Sequence, residues 1–140
     1  MSERFQILVV EDAEADVFLV REALQQAGLE FELLVLSDGE KAVNFIDNVD
    51  LGGSTNGPHL VLLDLNLPKK SGGQVLERVR RSRVCGQVPV VILTSSESPK
   101  DKMQAAKLRA TEYFRKPSKL DEFMKLGPLV QRILNPQPAH

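Results

Sequence analysis

The chain has 140 residues, of which 42% are hydrophobic and 26% charged, with a single cysteine. This length is typical of one domain, and the composition excludes collagen-like, disordered and disulfide-stabilised chains. The longest apolar runs fall short of the roughly 20 residues that span a bilayer, and the first residues lack a signal-peptide pattern. We therefore expect one domain over residues 1–140, located in the cytoplasm and not in a membrane.

Charge is unevenly distributed along the chain, although the formal net charge is −1. Residues 1–70 carry 5 Lys/Arg and 13 Asp/Glu, whereas residues 71–140 carry 13 and 6. Non-specific nucleic-acid binding normally requires an overall basic excess, so we expect no nucleic-acid partner. The arginine-rich run 78–83 ends a predicted helix, where cations complement the helix dipole, and we interpret it as a solvated face.

Apolar periodicity predicts five strands that alternate with five helices. The predicted strands are 5–10, 31–36, 60–64, 88–93 and 112–114, and the predicted helices are 15–27, 38–48, 72–82, 99–108 and 118–134. Expected capping residues are Ser37 or Asp38, Ser71, Ser98 and the pair Ser118 and Asp121. Segment 51–58 is predicted to be a loop and segment 135–140 a flexible tail. This alternation predicts a doubly wound α/β fold, a parallel sheet with helices on both faces.

Polar residues stand where the predicted strands end: Glu11 and Asp12, Asp64, Thr94 and Lys116. Ligands of open α/β sheets bind beyond the carboxyl ends of the strands, so these side chains are expected on one rim. Three carboxylates need a counter-charge, and Mg²⁺ suits carboxylates and water as ligands. Asp64 would then be a nucleophile, with Mg²⁺, Lys116 and Thr94 stabilising a phosphoryl group. The alternative is that each acid only caps the following helix.

Four stretches resemble the receiver domain of two-component response regulators. They are Ile-Leu-Val-Val-Glu-Asp at 7–12, Leu-Val-Leu-Leu-Asp-Leu-Asn-Leu-Pro at 60–68, Val-Val-Ile-Leu-Thr-Ser-Ser at 90–96 and Tyr-Phe-Arg-Lys-Pro at 113–117. The resemblance covers nearly the whole chain. It implies a flavodoxin-like strand order, 2-1-3-4-5, and a phosphoryl group transferred to Asp64 from a histidine kinase.

The resemblance also implies a role for each rim residue. Asp12 and Asp64 would bind Mg²⁺ directly together with the backbone carbonyl of Asn66, and Glu11 would act through water. The phosphoryl oxygens would be bound by Thr94 and Lys116.

A switch is implied beside these residues. Tyr113 would be the aromatic residue whose ring moves inward as Thr94 engages the phosphoryl group. The family pattern further implies a cis peptide bond between Lys116 and Pro117, a bond type with a small cis penalty before proline.

A narrower resemblance points to the small regulators paired with cyanobacterial phytochromes. Its features are the Glu-Asp pair at 11–12, the long 51–58 loop and the serine-rich segment after the fourth strand, and we expect no appended domain. We therefore expect signalling by contact with a downstream protein, and neither transcription-factor activity nor catalysis beyond the domain's own phosphorylation and dephosphorylation.

Three other functions remain open from the residues alone. A phosphatase of the haloacid dehalogenase type would use the strand-end aspartate but needs a second acid two residues later, where this chain has Asn66. A receiver-like scaffold would never be phosphorylated. A flavodoxin would need a hydroxyl-rich phosphate loop where this chain has Glu-Asp-Ala-Glu at 11–14.

The final predicted helix, 118–134, carries more apolar residues than one core-facing stripe requires. Leu126, Leu129 and Ile133 fall near a second stripe, which a homodimer could bury. The alternative is a single broad buried face. Gly127 and Pro128 interrupt the pattern, so we predict a break near 124–128 that directs 129–134 away from the domain.

Overall fold

Five parallel strands form one sheet in the computed structural model, which describes residues 4–52 and 57–136. The strands are β1 (Phe5–Val10), β2 (Phe31–Leu36), β3 (Leu60–Leu63), β4 (Val90–Thr94) and β5 (Glu112–Arg115). Their order is β2-β1-β3-β4-β5, with every neighbouring pair parallel. The predicted strand order is confirmed.

Six helical segments accompany the sheet in the described part of the chain: α1 (Glu14–Gln26), α2 (Gly39–Asp50), α3 (Gly72–Arg80), α4 (Pro99–Lys107), α5 (Leu120–Phe123) and α6 (Leu126–Leu134). The last two replace the single final helix predicted from the sequence. Within residues 4–52 and 57–136 no helix combines the length and apolarity that crossing a membrane requires. Part of the predicted loop, 53–56, and part of the predicted tail, 137–140, lie outside the described residues.

The strands bury alternate residues on opposite faces of the sheet. In β1, Leu8 and Val10 belong to one core with α2 and α3, whereas Ile7 and Val9 belong to a second core with α1 and α6. β3 and β4 divide in the same way. Because both faces are covered, the central strands are almost continuously apolar, and their first polar residues stand where they leave the core.

Three of the predicted helix caps are present. Asp38 accepts a hydrogen bond from the Lys41 backbone at 2.8 Å, Ser71 forms a capping box with Gln74, and Ser98 caps α4 with proline in its first turn. The predicted cap of the final helix by Ser118 and Asp121 is wrong. Lys119 occupies the cap position of α5 without a side-chain hydrogen bond.

The predicted break in the final helix is confirmed. Met124 and Lys125 separate α5 from α6, and Pro128 falls in the first turn of α6, where a backbone N–H has no partner within the helix. Gly127 lies against α1 so closely that a Cβ there would approach the Ala23 carbonyl oxygen to 2.2 Å. The absence of a side chain at Gly127 therefore allows α6 to pack closely against α1.

The predicted direction of this last segment is wrong. Leu126 is fully buried, and Leu129 and Ile133 pack partly buried on the same core as α1. Leu120, the first residue of α5, is 62% exposed. The two apolar stripes therefore merge into one face against the domain, the alternative considered above.

The arginine run 78–83 is not simply a solvated face. Arg78 donates to Asp47 and Asp50 across the α2–α3 interface, at 2.9 and 2.8 Å. Arg80 donates to four backbone carbonyls: Leu108, Gly86, Val88 and Arg109. These guanidinium groups connect α3 to the neighbouring helices and so stabilise the fold.

Stability is expected to depend on pH through Asp50. Hydrogen bonds from Ser82 and Arg78 hold the pKa of this carboxyl well below its usual range. A carboxyl group whose pKa is lower in the folded state stabilises the fold at pH values above its unfolded pKa of about 4. This stabilisation is lost as the pH falls below that value. Asp50→Asn should therefore lower the melting temperature at pH 7, and its deficit against the wild type should shrink on acidification below pH 4.

Asp47→Asn is the matched control, because this carboxylate also binds Arg78 but is 48% exposed. Its effect on the melting temperature should be smaller at every pH. An Asp50→Asn deficit that stayed constant from pH 7 to pH 3 would contradict the assignment.

Candidate functional site

Three carboxylates meet at the carboxyl ends of β1 and β3. These strands are neighbours with Val10 opposite Leu63, so Glu11 and Asp64, the residues that follow, leave the sheet side by side. Carboxylate oxygens of Glu11, Asp12 and Asp64 all lie within 4.8 Å of one another. The geometry expected from the strand ends is thus present.

The three carboxylates differ in their access to solvent. Glu11 and Asp64 are buried, at 2% and 6% exposure, whereas Asp12 is exposed. One oxygen of Glu11 accepts the Ala13 backbone N–H at 3.1 Å, and Asp64 Oδ1 accepts that of Asn66 at 3.2 Å. The backbone therefore fixes both buried carboxylates in position.

Lys116 supplies the counter-charge. Its Nζ donates to Glu11 at 2.6 Å, to Asp16 at 2.7 Å and to Asp64 at 3.3 Å. Lys116 leaves β5, and its backbone N–H donates to the Thr94 carbonyl at the end of β4. The strand pairing thus directs the lysine across the sheet edge to the acids.

Asp16 was missed by the sequence analysis. It lies in the first turn of α1, where acids commonly complement the helix dipole. That placement gives no indication that the carboxylate reaches back to a lysine 100 residues away. Only the docking of α1 beside β1 brings the two charges together.

Burial and pairing oppose each other in this cluster. Burial raises the pKa of Glu11 to about 7, against the lowering effect of the Lys116 hydrogen bond. For Lys116, burial favours the neutral form, but hydrogen bonds to Asp16 and Glu11 outweigh it and the lysine pKa rises above its usual value. The cluster therefore keeps a cation in place beside acids that repel one another.

The donor set fits a hard divalent cation. Its nearest atoms are carboxylate oxygens from three residues, and Asn66, two positions after Asp64, is an exposed residue. A divalent ion bound there would reduce the repulsion between the acids, and Mg²⁺ and Mn²⁺ both accept such ligands.

Thr94 and Tyr113 meet through Ser96 rather than directly. Thr94, the last residue of β4, is fully buried, and its Oγ1 accepts the Ser96 backbone N–H at 3.3 Å. The Tyr113 hydroxyl donates to the Ser96 carbonyl at 2.9 Å. Ser96 Oγ in turn donates to Asp101 at 2.6 Å, so one residue links the strand end, the tyrosine and α4. The sequence analysis did not single out Ser96 as this link.

The expected cis peptide bond before Pro117 is absent, because no described peptide bond is cis. An X–Pro bond favours trans by about 0.5–1 kcal/mol unless its surroundings select cis. Lys116 reaches the acids with a trans bond.

A parallel sheet in this order, with acids after β1 and β3 and a lysine after β5, is the architecture of a receiver domain. The chain belongs to this family, since the model of the response regulator receiver domain matches residues 7–126.

Two cyanobacterial regulators are among its relatives. The response regulator Rcp1 of Synechocystis sp. is 37% identical over 120 residues, which cover 86% of this chain and 82% of Rcp1. The crystal structure of the phosphorylated cyanobacterial phytochrome response regulator RcpA superposes with a TM-score of 0.86 at 28% identity, over 97% of this chain and 98% of RcpA. The Mn²⁺-bound form of Rcp1 gives a TM-score of 0.83 at 33% identity, over 97% and 99% of the chains.

Proposed function

We propose that this chain is a single-domain response regulator that accepts a phosphoryl group on Asp64 from a histidine kinase. The observation that carries the proposal is the Asp64 carboxylate itself, fixed between two further acids and the Lys116 ammonium. A carboxylate oxygen of Asp64 attacks the phosphorus, the bond from phosphorus to the donor breaks, and an acyl phosphate forms.

The surrounding residues have distinct roles in this proposal. Asp12, Asp64 and the Asn66 carbonyl hold Mg²⁺, and Glu11 acts through water. The cation supplies charge neutralisation for the incoming phosphoryl group. The family membership and the Mn²⁺-bound form of Rcp1 support a divalent cation at this site.

Two groups bind the phosphoryl oxygens in this proposal. Lys116 provides an ammonium, and Thr94 provides its hydroxyl, whose O–H can donate to a phosphoryl oxygen while its oxygen accepts the Ser96 N–H. Tyr113, tied to the same segment, is the residue whose ring reports phosphorylation to the surface. The signal is then passed on by contact between a downstream protein and the surface formed by β4, α4 and β5, which phosphorylation changes.

The relatives also suggest the partners. A phytochrome-type histidine kinase is the proposed phosphodonor, because RcpA is a phytochrome response regulator. The target is a downstream protein, not nucleic acid, and the proposed location is the cytoplasm. A homodimer through residues 118–134 stays a prediction, and the burial of Leu126 in the domain core removes part of the apolar stripe that suggested it.

Mass spectrometry of the intact chain tests the proposed function. Incubation with acetyl phosphate and Mg²⁺ is expected to add one phosphoryl group per chain, and chelation of the metal with EDTA should prevent it. A phosphatase would instead release phosphate rapidly and continuously without a lasting adduct. An unchanged mass with Mg²⁺ present would contradict the proposal and favour an unphosphorylated scaffold.

A further inference from the structure

The Lys116 ammonium has already committed its hydrogen-bonding capacity. An ammonium has three N–H donors, and Lys116 donates to three different carboxylates: Glu11 at 2.6 Å, Asp16 at 2.7 Å and Asp64 at 3.3 Å. A phosphoryl oxygen can receive a hydrogen bond from Nζ only if one of these contacts is weakened. Because Asp64 itself carries the phosphoryl group, Glu11 and Asp16 are the carboxylates that compete with that group for the lysine.

Water can replace Lys116 as the partner of these carboxylates to different degrees. The side chains of Glu11 and Asp64 are 1% and 7% exposed, whereas that of Asp16 is 26% exposed. A buried carboxylate that loses its partner pays the full desolvation penalty, but an accessible one regains a hydrogen bond from solvent. Asp16 is thus the acceptor that Lys116 can leave most readily.

We propose that Asp16 is a positioning residue, which holds the Lys116 ammonium on the α1 side of the site and limits how tightly it engages a phosphoryl group on Asp64. This inference rests on the proposed function. Asp16 does not touch the reacting atoms. It acts through Lys116, and the free energy of its ion pair opposes transfer of the lysine to the phosphoryl oxygen.

A matched control lies in the same helical turn. Glu14 carries the same charge and is exposed, and its side chain forms no hydrogen bond or ion pair with the described residues. Removing either acid makes the same change in net charge near the amino end of α1. Only the removal of Asp16 releases Lys116, so the two variants separate this contact from a general charge effect.

Beryllofluoride, which binds aspartate as a phosphoryl mimic, provides the affinity measurement by ¹⁹F NMR at saturating Mg²⁺. Asp16→Ala is expected to bind it about twofold to fivefold more tightly than the wild type, the range for losing a partly exposed competing ion pair. Asp16→Asn, which keeps an oxygen acceptor without the charge, should fall between them. Glu14→Ala should change the affinity by less than about twofold.

The Lys116 ammonium resonance in metal-free protein gives a second readout, assigned by its loss in Lys116→Arg. Its proton exchange with water should accelerate in Asp16→Ala and stay unchanged in Glu14→Ala. Equal beryllofluoride affinity in the wild type and Asp16→Ala, or an equal gain in Glu14→Ala, would overturn the inference alone. A wild type that binds no beryllofluoride would overturn the proposed function and the inference with it.

Discussion

Asp64→Asn is expected to abolish the phosphoryl adduct formed with acetyl phosphate and Mg²⁺. Asparagine has nearly the same shape and can still accept the Asn66 backbone N–H, but its amide oxygen is a poor nucleophile. The fold should survive, because the substitution removes one of three mutually repelling charges. Intact-mass measurement of the variant and the wild type, alongside their melting temperatures, checks both expectations.

Asp12→Asn is the control for loss of a neighbouring charge. This side chain is exposed and is not the nucleophile of the proposed reaction. The variant should therefore still form the adduct, but more slowly and only at a higher Mg²⁺ concentration. If Asp64→Asn were labelled to the same extent as the wild type, the phosphoryl group would have to reside elsewhere and the assignment of Asp64 would fail.

The fold and most of the site could be predicted from the sequence because strand direction organises both. A strand buried on both faces is apolar until it leaves the core, so Glu11 and Asp64 mark the ends of β1 and β3. Parallel strands place these ends at one edge, and the same reasoning brings Lys116 to the site from β5. Neither step requires knowledge of side-chain conformation.

Features that depend on side-chain reach and helix phase could not be predicted. Asp16 resembles any acid in the first turn of a helix until α1 is docked beside Lys116. The orientation of α6 depends on its close approach to α1 at Gly127, which apolar periodicity does not show. Periodicity across the break therefore assigned Leu126 to the wrong face.

The hydrogen bonds of the arginine run were hidden for a related reason. The sequence shows where an arginine lies on a helix, but it does not show which carbonyl groups accept hydrogen bonds from its guanidinium. The four carbonyls bound by Arg80 come from the segment before β4 and from the end of α4. Only the packed structure brings these together.

The start of α3 constrains the segment that carries Asp64. Gly72 donates its backbone N–H to the Leu65 carbonyl at 3.0 Å. A Cβ at Gly72 would lie 2.3 Å from the Asp64 carbonyl oxygen and 2.5 Å from Leu65 Cα. Both atoms are backbone, so neither can rotate away, and the helix or the β3–α3 segment would have to move.

Gly72→Ala is therefore expected to destabilise the domain by about 1–3 kcal/mol, the usual cost of overpacking. Because the displaced segment carries Asp64 and Asn66, Mg²⁺ affinity and the rate of phosphoryl-adduct formation should fall together with the melting temperature. Urea unfolding, Mg²⁺ titration and intact-mass kinetics on the same preparation measure the three effects.

The adjacent glycine supplies the control. A Cβ at Gly73 would lie 3.0 Å from Gln104 Nε2, the end of a flexible side chain that can move aside. Alanine is also favoured over glycine in a helix by up to about 1 kcal/mol, so Gly73→Ala should be as stable as the wild type or more so, with unchanged Mg²⁺ affinity. Equal effects of the two substitutions would show that general crowding at the start of α3, rather than contact with the Asp64 backbone, determines the geometry of the site.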